Sequence, residues 1–177
     1  MKILQLIRTE SYKKGMLLSV VFNAFAKAIL FLLVILIARF FGSNIETDIY
    51  FFVYGSMVLL ASFINALDTV VLIPESMRLR EQHGADDANR FLGFFFRIYV
   101  GIGIVFVAMS YFFGTQLFGL VSKFSEADII TYRNYFLLGA TYFFFMVLTN
   151  YFNNILSSLK YFTIPMIISG LNSCLVI

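Results

Sequence analysis

The sequence predicts an all-α membrane protein: a polytopic helix bundle with four complete transmembrane helices and the start of a fifth. Three observations predict it. Hydrophobic residues make up 60% of the 177 residues and charged residues 13%, against about 45–50% and about 25% in soluble domains. The mean hydropathy is +0.88, more apolar surface than a soluble core of this size hides. The apolar residues also fall in runs near the roughly 20 residues that carry a helix across a bilayer. Runs such as AILFLLVILIA do not alternate as barrel strands do, and lipid offers no partner to an unpaired backbone.

The first run spans about Leu17 to Phe41. It is longer than the apolar core of a signal peptide, and no small-x-small cleavage site follows. Residues 1–16 carry Lys2, Arg8, Lys13 and Lys14 among Ile3, Leu4, Leu6 and Ile7. They read either as a short helix lying on an anionic leaflet or as a plain basic flank. The second run spans about Ile49 to Ile73 and is expected to stop at Pro74. A polar loop, Glu75 to Arg90, follows, with Asp86 or Asp87 expected to cap the next helix. The third run covers about Phe91 to Phe113 and the fourth about Tyr132 to Leu156. A fifth begins near Phe162 and is still apolar at Ile177.

Lys and Arg near the span ends set orientation. Lys2, Arg8, Lys13, Lys14, Arg78, Arg80, Arg90, Arg97 and Lys160 fall on one side, against Arg39, Lys123 and Arg133 on the other. This places the N-terminus in the cytoplasm. Tyr50, Tyr54, Tyr111, Tyr132 and Tyr135 then lie at the outer ends, with Tyr99 and Tyr161 at the inner ends, as interfacial tyrosines do.

Polar residues within the apolar runs carry the functional information. A charge at mid-membrane costs about 2.5–3.5 kcal/mol on insertion scales, so it is retained only with a partner, a hydrated cavity or an escape to the interface. Lys27 lies roughly 15 Å into the first span, with Asn23 on the same face. Asn65 and Asp68 share a face of the second span, roughly 12 and 8 Å from its inner edge. These four residues are the candidate substrate-binding set. Lys27 is within reach of Asp68, either as a structural ion pair or as part of a hydrated cavity for a head group or a cation.

Other features are bland. His83 reads as solvated loop. Gly101-x-Gly103 follows no strand and reads as close helix packing. Asn150, Asn153 and Asn154 form a dense polar patch, and the TYFFF run, Thr141 to Phe145, reads as packing or lipid contact. The single Cys174 and single His83 leave no metal cluster and no cofactor site. No nucleophile set, acid pair or phosphate loop is present, so no enzyme activity is expected. The basic residues track one membrane face rather than a nucleic-acid surface.

The hairpin IARFFGSNIETDIYFF places Arg39 for the outer interface, Gly42 at the end of the first helix, and Asn44 or Thr47 as the cap of the second. Its pattern, with Ala38, Arg39, Phe41, Gly42, Thr47, Asp48 and Phe52, resembles the first helix hairpin of the MviN/MurJ-like lipid II flippases. These belong to the multidrug/oligosaccharidyl-lipid/polysaccharide exporter superfamily. The stretch NNILSSLKYFTIPMIISGLN resembles the family's join of fourth and fifth helices, with Asn154, Leu156, Lys160, Phe162, Pro165 and Asn172 in register. The resemblance implies a bacterial inner-membrane transporter, of whose first lobe residues 17–177 would form part, as a fragment that lacks the remaining helices of the full-length transporter. It would flip a lipid-linked precursor for peptidoglycan or polysaccharide synthesis by alternating access. Lys27 matches one cationic position of the family's cavity wall. Leu33 and Val34, Ala61 and Ser62 replace others, which opens the substrate to undecaprenyl-linked sugar units besides lipid II. The alternatives are a cation-coupled drug exporter with Asp68 as coupling site, a non-transporting membrane subunit, or an inactive product.

Overall fold

The computed structural model describes residues 12–42 and 44–159, and every regular element in them is helical. The chain divides into two compact units, Met1–Ser43 with Ile155–Ile177, and Asn44–Asn154. In the first, helix α1 covers Tyr12–Phe41, which includes the first apolar run. It ends where Gly42 turns to φ 69° and donates its N–H to the Ala38 carbonyl at 3.1 Å. Glycine reaches this left-handed geometry without a steric penalty. Arg39 sits in the last turn, where a cation suits the helix dipole. The expected fifth span, with Lys160 and Pro165, lies outside the described residues.

In the second unit, α2 covers Ile45–Leu67. Asn44 caps it: its Oδ1 accepts from the Thr47 N–H at 2.8 Å and the Thr47 hydroxyl at 2.9 Å. Glu46 and Asp48 occupy the first turn, where the dipole favours acids. The expected stop at Pro74 is not there. A π-helical turn, Asp68–Leu72, carries the chain directly into α3, Ile73–Gln82. Proline has no N–H, and its ring crowds the carbonyl four residues back. The widened turn shifts the bonding register just before it, with the Ile73 N–H reaching the Asp68 carbonyl five residues earlier. The helix therefore passes through its proline instead of ending.

The expected loop from Glu75 to Arg90 is also corrected. Most of it is helix, and only His83 and Gly84 link α3 to α4, Ala85–Val121. Gly84, at φ 98°, is the N-cap, with no side-chain bond; neither Asp86 nor Asp87 caps the helix. Both stand in its first turn and serve the dipole from there. Helix α4 kinks at Phe113, the residue where the apolar run was expected to finish. A short α5, Glu126–Thr131, opens on a reciprocal capping box between Ser125 and Asp128. Helix α6 spans Arg133–Ser158.

Among the described residues, three helices are long and apolar enough to cross a membrane: Ile45–Gln82, Ala85–Val121 and Arg133–Ser158. The first, at 38 residues, is about 57 Å long and outruns a hydrocarbon core of about 30 Å. These helices pack on each other through aromatic rings and small residues. Phe118 meets Phe136 at 4.5 Å between ring centres, and Phe106 meets Phe143 at 4.8 Å. Gly139 is buried against Val53 and Met57, and Gly103 against Phe144. Such positions let membrane helices approach closely. Of the Gly101–Gly103 pair only Gly103 does this; a side chain at Gly101 would meet nothing. At the end where α2 begins, Arg133 donates to the Tyr111 carbonyl at 2.7 Å and stands 5.1 Å over its ring. The Tyr135 hydroxyl donates to Glu46 there.

Substituting Gly139→Leu is expected to lower stability by about 1–3 kcal/mol through overpacking against Val53. Gly101→Ala is expected to leave it unchanged or slightly raised. Thermal unfolding of the detergent-solubilised chain distinguishes the two.

Candidate functional site

Burial along α2 follows four-residue steps: Ile49, Val53, Met57 and Ala61. A four-residue step overshoots a 3.6-residue turn by about 40°, so the buried stripe drifts around the helix. Past Ala61 the stripe continues as Asp68, Leu72 and Ser76. Asp68 opens the π turn and is 0% exposed. A carboxylate therefore stands where the pattern otherwise places apolar or small side chains.

Three helices supply its surroundings. From α4, the Tyr99 hydroxyl donates to Asp68 Oδ1. From α6, the Asn154 amide donates to Asp68 Oδ2 at 2.9 Å and to Asn65 Oδ1 at 3.0 Å. Asn154 thus ties Asn65 of α2 to Asp68 of the π turn. Tyr151, one turn earlier on α6, donates its hydroxyl to the Leu92 carbonyl at 2.7 Å. Its ring meets Tyr99 edge-on at 5.6 Å and Phe96 at 5.7 Å. Tyr99 and Tyr151 are both buried, so the cluster is roofed by rings. The partners that bond the carboxylate are neutral donors.

The backbone of the site is irregular in the same place. The Asp68 N–H is shared between the Asn65 and Ile64 carbonyls, while the Asp68 carbonyl takes the Ile73 N–H. π turns in α-helices recur at functional sites and are a recognised cause of helix bending. From Asp68 to the end of α3 at Gln82 is about 21 Å of helix at 1.5 Å per residue. The carboxylate is far from either helix end.

Of the residues that the sequence singles out, Asn65 and Asp68 come together, joined through Asn154. Lys27 is exposed on α1, in the other compact unit, and the Asn23 side chain lies outside the described residues. Asp68 finds its bonds within its own unit. Sequence reasoning passed over three members. By sequence Tyr99 reads as an interfacial tyrosine, yet it is buried and bonds to Asp68. In the sequence Asn154 stands out as part of a dense asparagine patch and of the stretch that resembles the family's helix join, not as a partner of Asp68. Tyr151 was not noted at all. The available signal was spacing: Tyr151 and Asn154 are three apart, which puts them on one helix face. The cluster contains no group of three or more His, Cys, Asp or Glu residues fit for a metal, and none exists among the described residues.

Comparison with family models, curated proteins and solved structures returns no match.

Replacing Asn154 by Leu deletes both of its bonds and leaves Asn65 and Asp68 each short of a donor. Stability is expected to fall by about 1–2 kcal/mol. Adding Asn65→Ala to that variant is expected to cost little more, because the shared bond is already lost. A double-mutant cycle on thermal midpoints measures this coupling.

Proposed function

We propose that the chain forms part of a bacterial inner-membrane transporter that moves a lipid-linked glycan precursor across the bilayer by alternating access. One observation carries the transport reading: a fully buried carboxylate, Asp68, at a π turn within a membrane-length helix. Ionisable residues within membrane spans are costly and are kept where they serve an ion or substrate path. A π turn at the same residue is a place where the helix can bend, and alternating access uses such joints. The glycan class rests on the resemblance of the Ala38–Phe52 hairpin and the Asn154–Asn172 stretch to MviN/MurJ-like flippases. The substrate is lipid II or an undecaprenyl-linked sugar unit. Lys27, exposed on α1, is the contact for the anionic head group. The excess of Lys and Arg beside one set of span ends supports a cytoplasmic N-terminus. The lipid bilayer and the remaining helices of the transporter are its partners.

A second reading is favoured by the same carboxylate. A buried acid bonded by neutral donors suits a cation-coupled exporter of drugs, with Asp68 as the coupling residue.

The test is complementation of a strain depleted of its own flippase by the full gene. Survival, with precursor no longer accumulating on the cytoplasmic leaflet, supports the glycan reading. Failure to complement, with drug resistance gained instead, supports the second. In the complementing strain, Lys27→Ala is expected to cut transport about tenfold or more while Lys27→Arg retains most of it, since one lost charge contact is worth about 1.5–3 kcal/mol. Membrane content of each variant, measured by blotting, separates loss of transport from loss of protein.

A further inference from the structure

We infer that Asp68 is a proton-binding site, and that Tyr99 couples its protonation to the π turn. The identity of the cation follows from which groups face the carboxylate. On its own helix stands neutral Asn65; α4 presents Tyr99; α6 presents Tyr151 and neutral Asn154. Both bonds to the carboxylate come from donors, Tyr99 O–H on Oδ1 and the Asn154 amide on Oδ2. The neighbouring acceptor, Asn65 Oδ1, is already taken by Asn154. A sodium ion needs a shell of oxygen acceptors, and here hydrogens occupy that space. A proton needs one hydroxyl to turn. Tyrosine both donates and accepts. A proton from water placed on Oδ1 can take the position of the Tyr99 hydrogen, and Tyr99 then accepts where it had donated.

That exchange leaves the Tyr99 hydrogen without its acceptor in a site 5% exposed at Tyr99 and 0% at Asp68. A buried donor without a partner is disfavoured, so the protonated site loosens the link between α4 and α2. The link ends on Asp68, the first residue of the π turn, six residues before Pro74. Loosening it frees the segment of α2 whose backbone bonding is already irregular. Tyr99 is a positioning residue in this scheme; Asp68 carries the proton. Uptake and release move one proton between water and carboxylate, with no other bond made or broken. The use of this device to drive transport rests on the reading above; the binding of the proton does not.

The test uses the full chain in lipid nanodiscs, with carbon-13-labelled aspartate. Infrared difference spectra across pH are expected to show a carboxylic-acid band that is absent in Asp68→Asn. Amide hydrogen exchange across residues 68–74 is expected to rise about fivefold to tenfold on protonation, the equivalent of one lost hydrogen bond. Tyr99→Phe is expected to keep the band and abolish the change in exchange, which keeps the proposal testable if Asp68→Asn does not fold. An exchange response to sodium at fixed pH overturns the proposal, as does a band that never titrates while the protein is folded. A titrating site in a chain that fails complementation sinks only the glycan-transport reading. Complementation by Asp68→Asn at the wild-type rate overturns the use of the proton in transport.

Discussion

Asp68 has no water to turn to. Within a membrane-length helix, a buried carboxylate must have its oxygens met by protein groups, because unpaired polar atoms in such surroundings cost several kcal/mol each. Tyr99 and Asn154 meet this requirement from two other helices. The consequence reaches beyond the site. Apolar side chains can slide past one another in lipid with little penalty, since lipid tails are as apolar as leucine. Directional bonds from α4 and α6 to one residue of α2 fix the relative depth and rotation of all three. The glycine contacts, Gly139 on Val53 and Gly103 on Phe144, set how close the helices come. The polar bonds set which residues face which.

The π turn belongs to the same arrangement. A regular α-helix through Pro74 would meet a missing donor and a crowded carbonyl. Widening the preceding turn solves this locally, and the residue at its start is the one whose side chain two other helices hold. A backbone irregularity in a helix is a low-cost place to bend. Fastened by neutral donors to a titratable group, it becomes a place where bending depends on the state of that group. This links a chemical event of one proton to a geometric event in a helix about 57 Å long.

Much of the outline was legible beforehand because its causes are local. Gly42 and Asn44 announced the first helix boundary correctly, since a left-handed turn and a cap depend on a few adjacent residues. The four apolar runs between Leu17 and Leu156, apart from Tyr132 at the start of the last, lie within helices for the same reason: hydropathy over about 20 residues is a sum. The Phe143 and Phe144 rings pack as the TYFFF run suggested, while Phe145 stays exposed. The failures share another cause. Pro74 reads as a stop in the sequence because a single proline ends most helices; a widened turn that accommodates it leaves no mark in composition. Residues 75–90 looked like loop because they are polar, yet a helix that outruns the bilayer is polar where it leaves lipid. Asp86 and Asp87 are good caps by type, but Gly84 took the position, because the turn from His83 needs φ near 98°.

By itself the sequence determined that lipid is the solvent, that helices are the elements, and that Asn65 and Asp68 share a face. These follow from backbone hydrogen bonding in an apolar medium and from helical period, and neither requires knowing what packs on what. Tertiary structure alone decided the partners of Asp68. Asn154 and Tyr99 lie 86 and 31 residues away along the chain, and no local rule selects them from the other polar residues within the spans. Their selection depends on which helix lies beside α2, at what depth and turned which way. That is settled by the packing of Gly139, Gly103 and the aromatic rings together, a property of the assembled helices and of no single one.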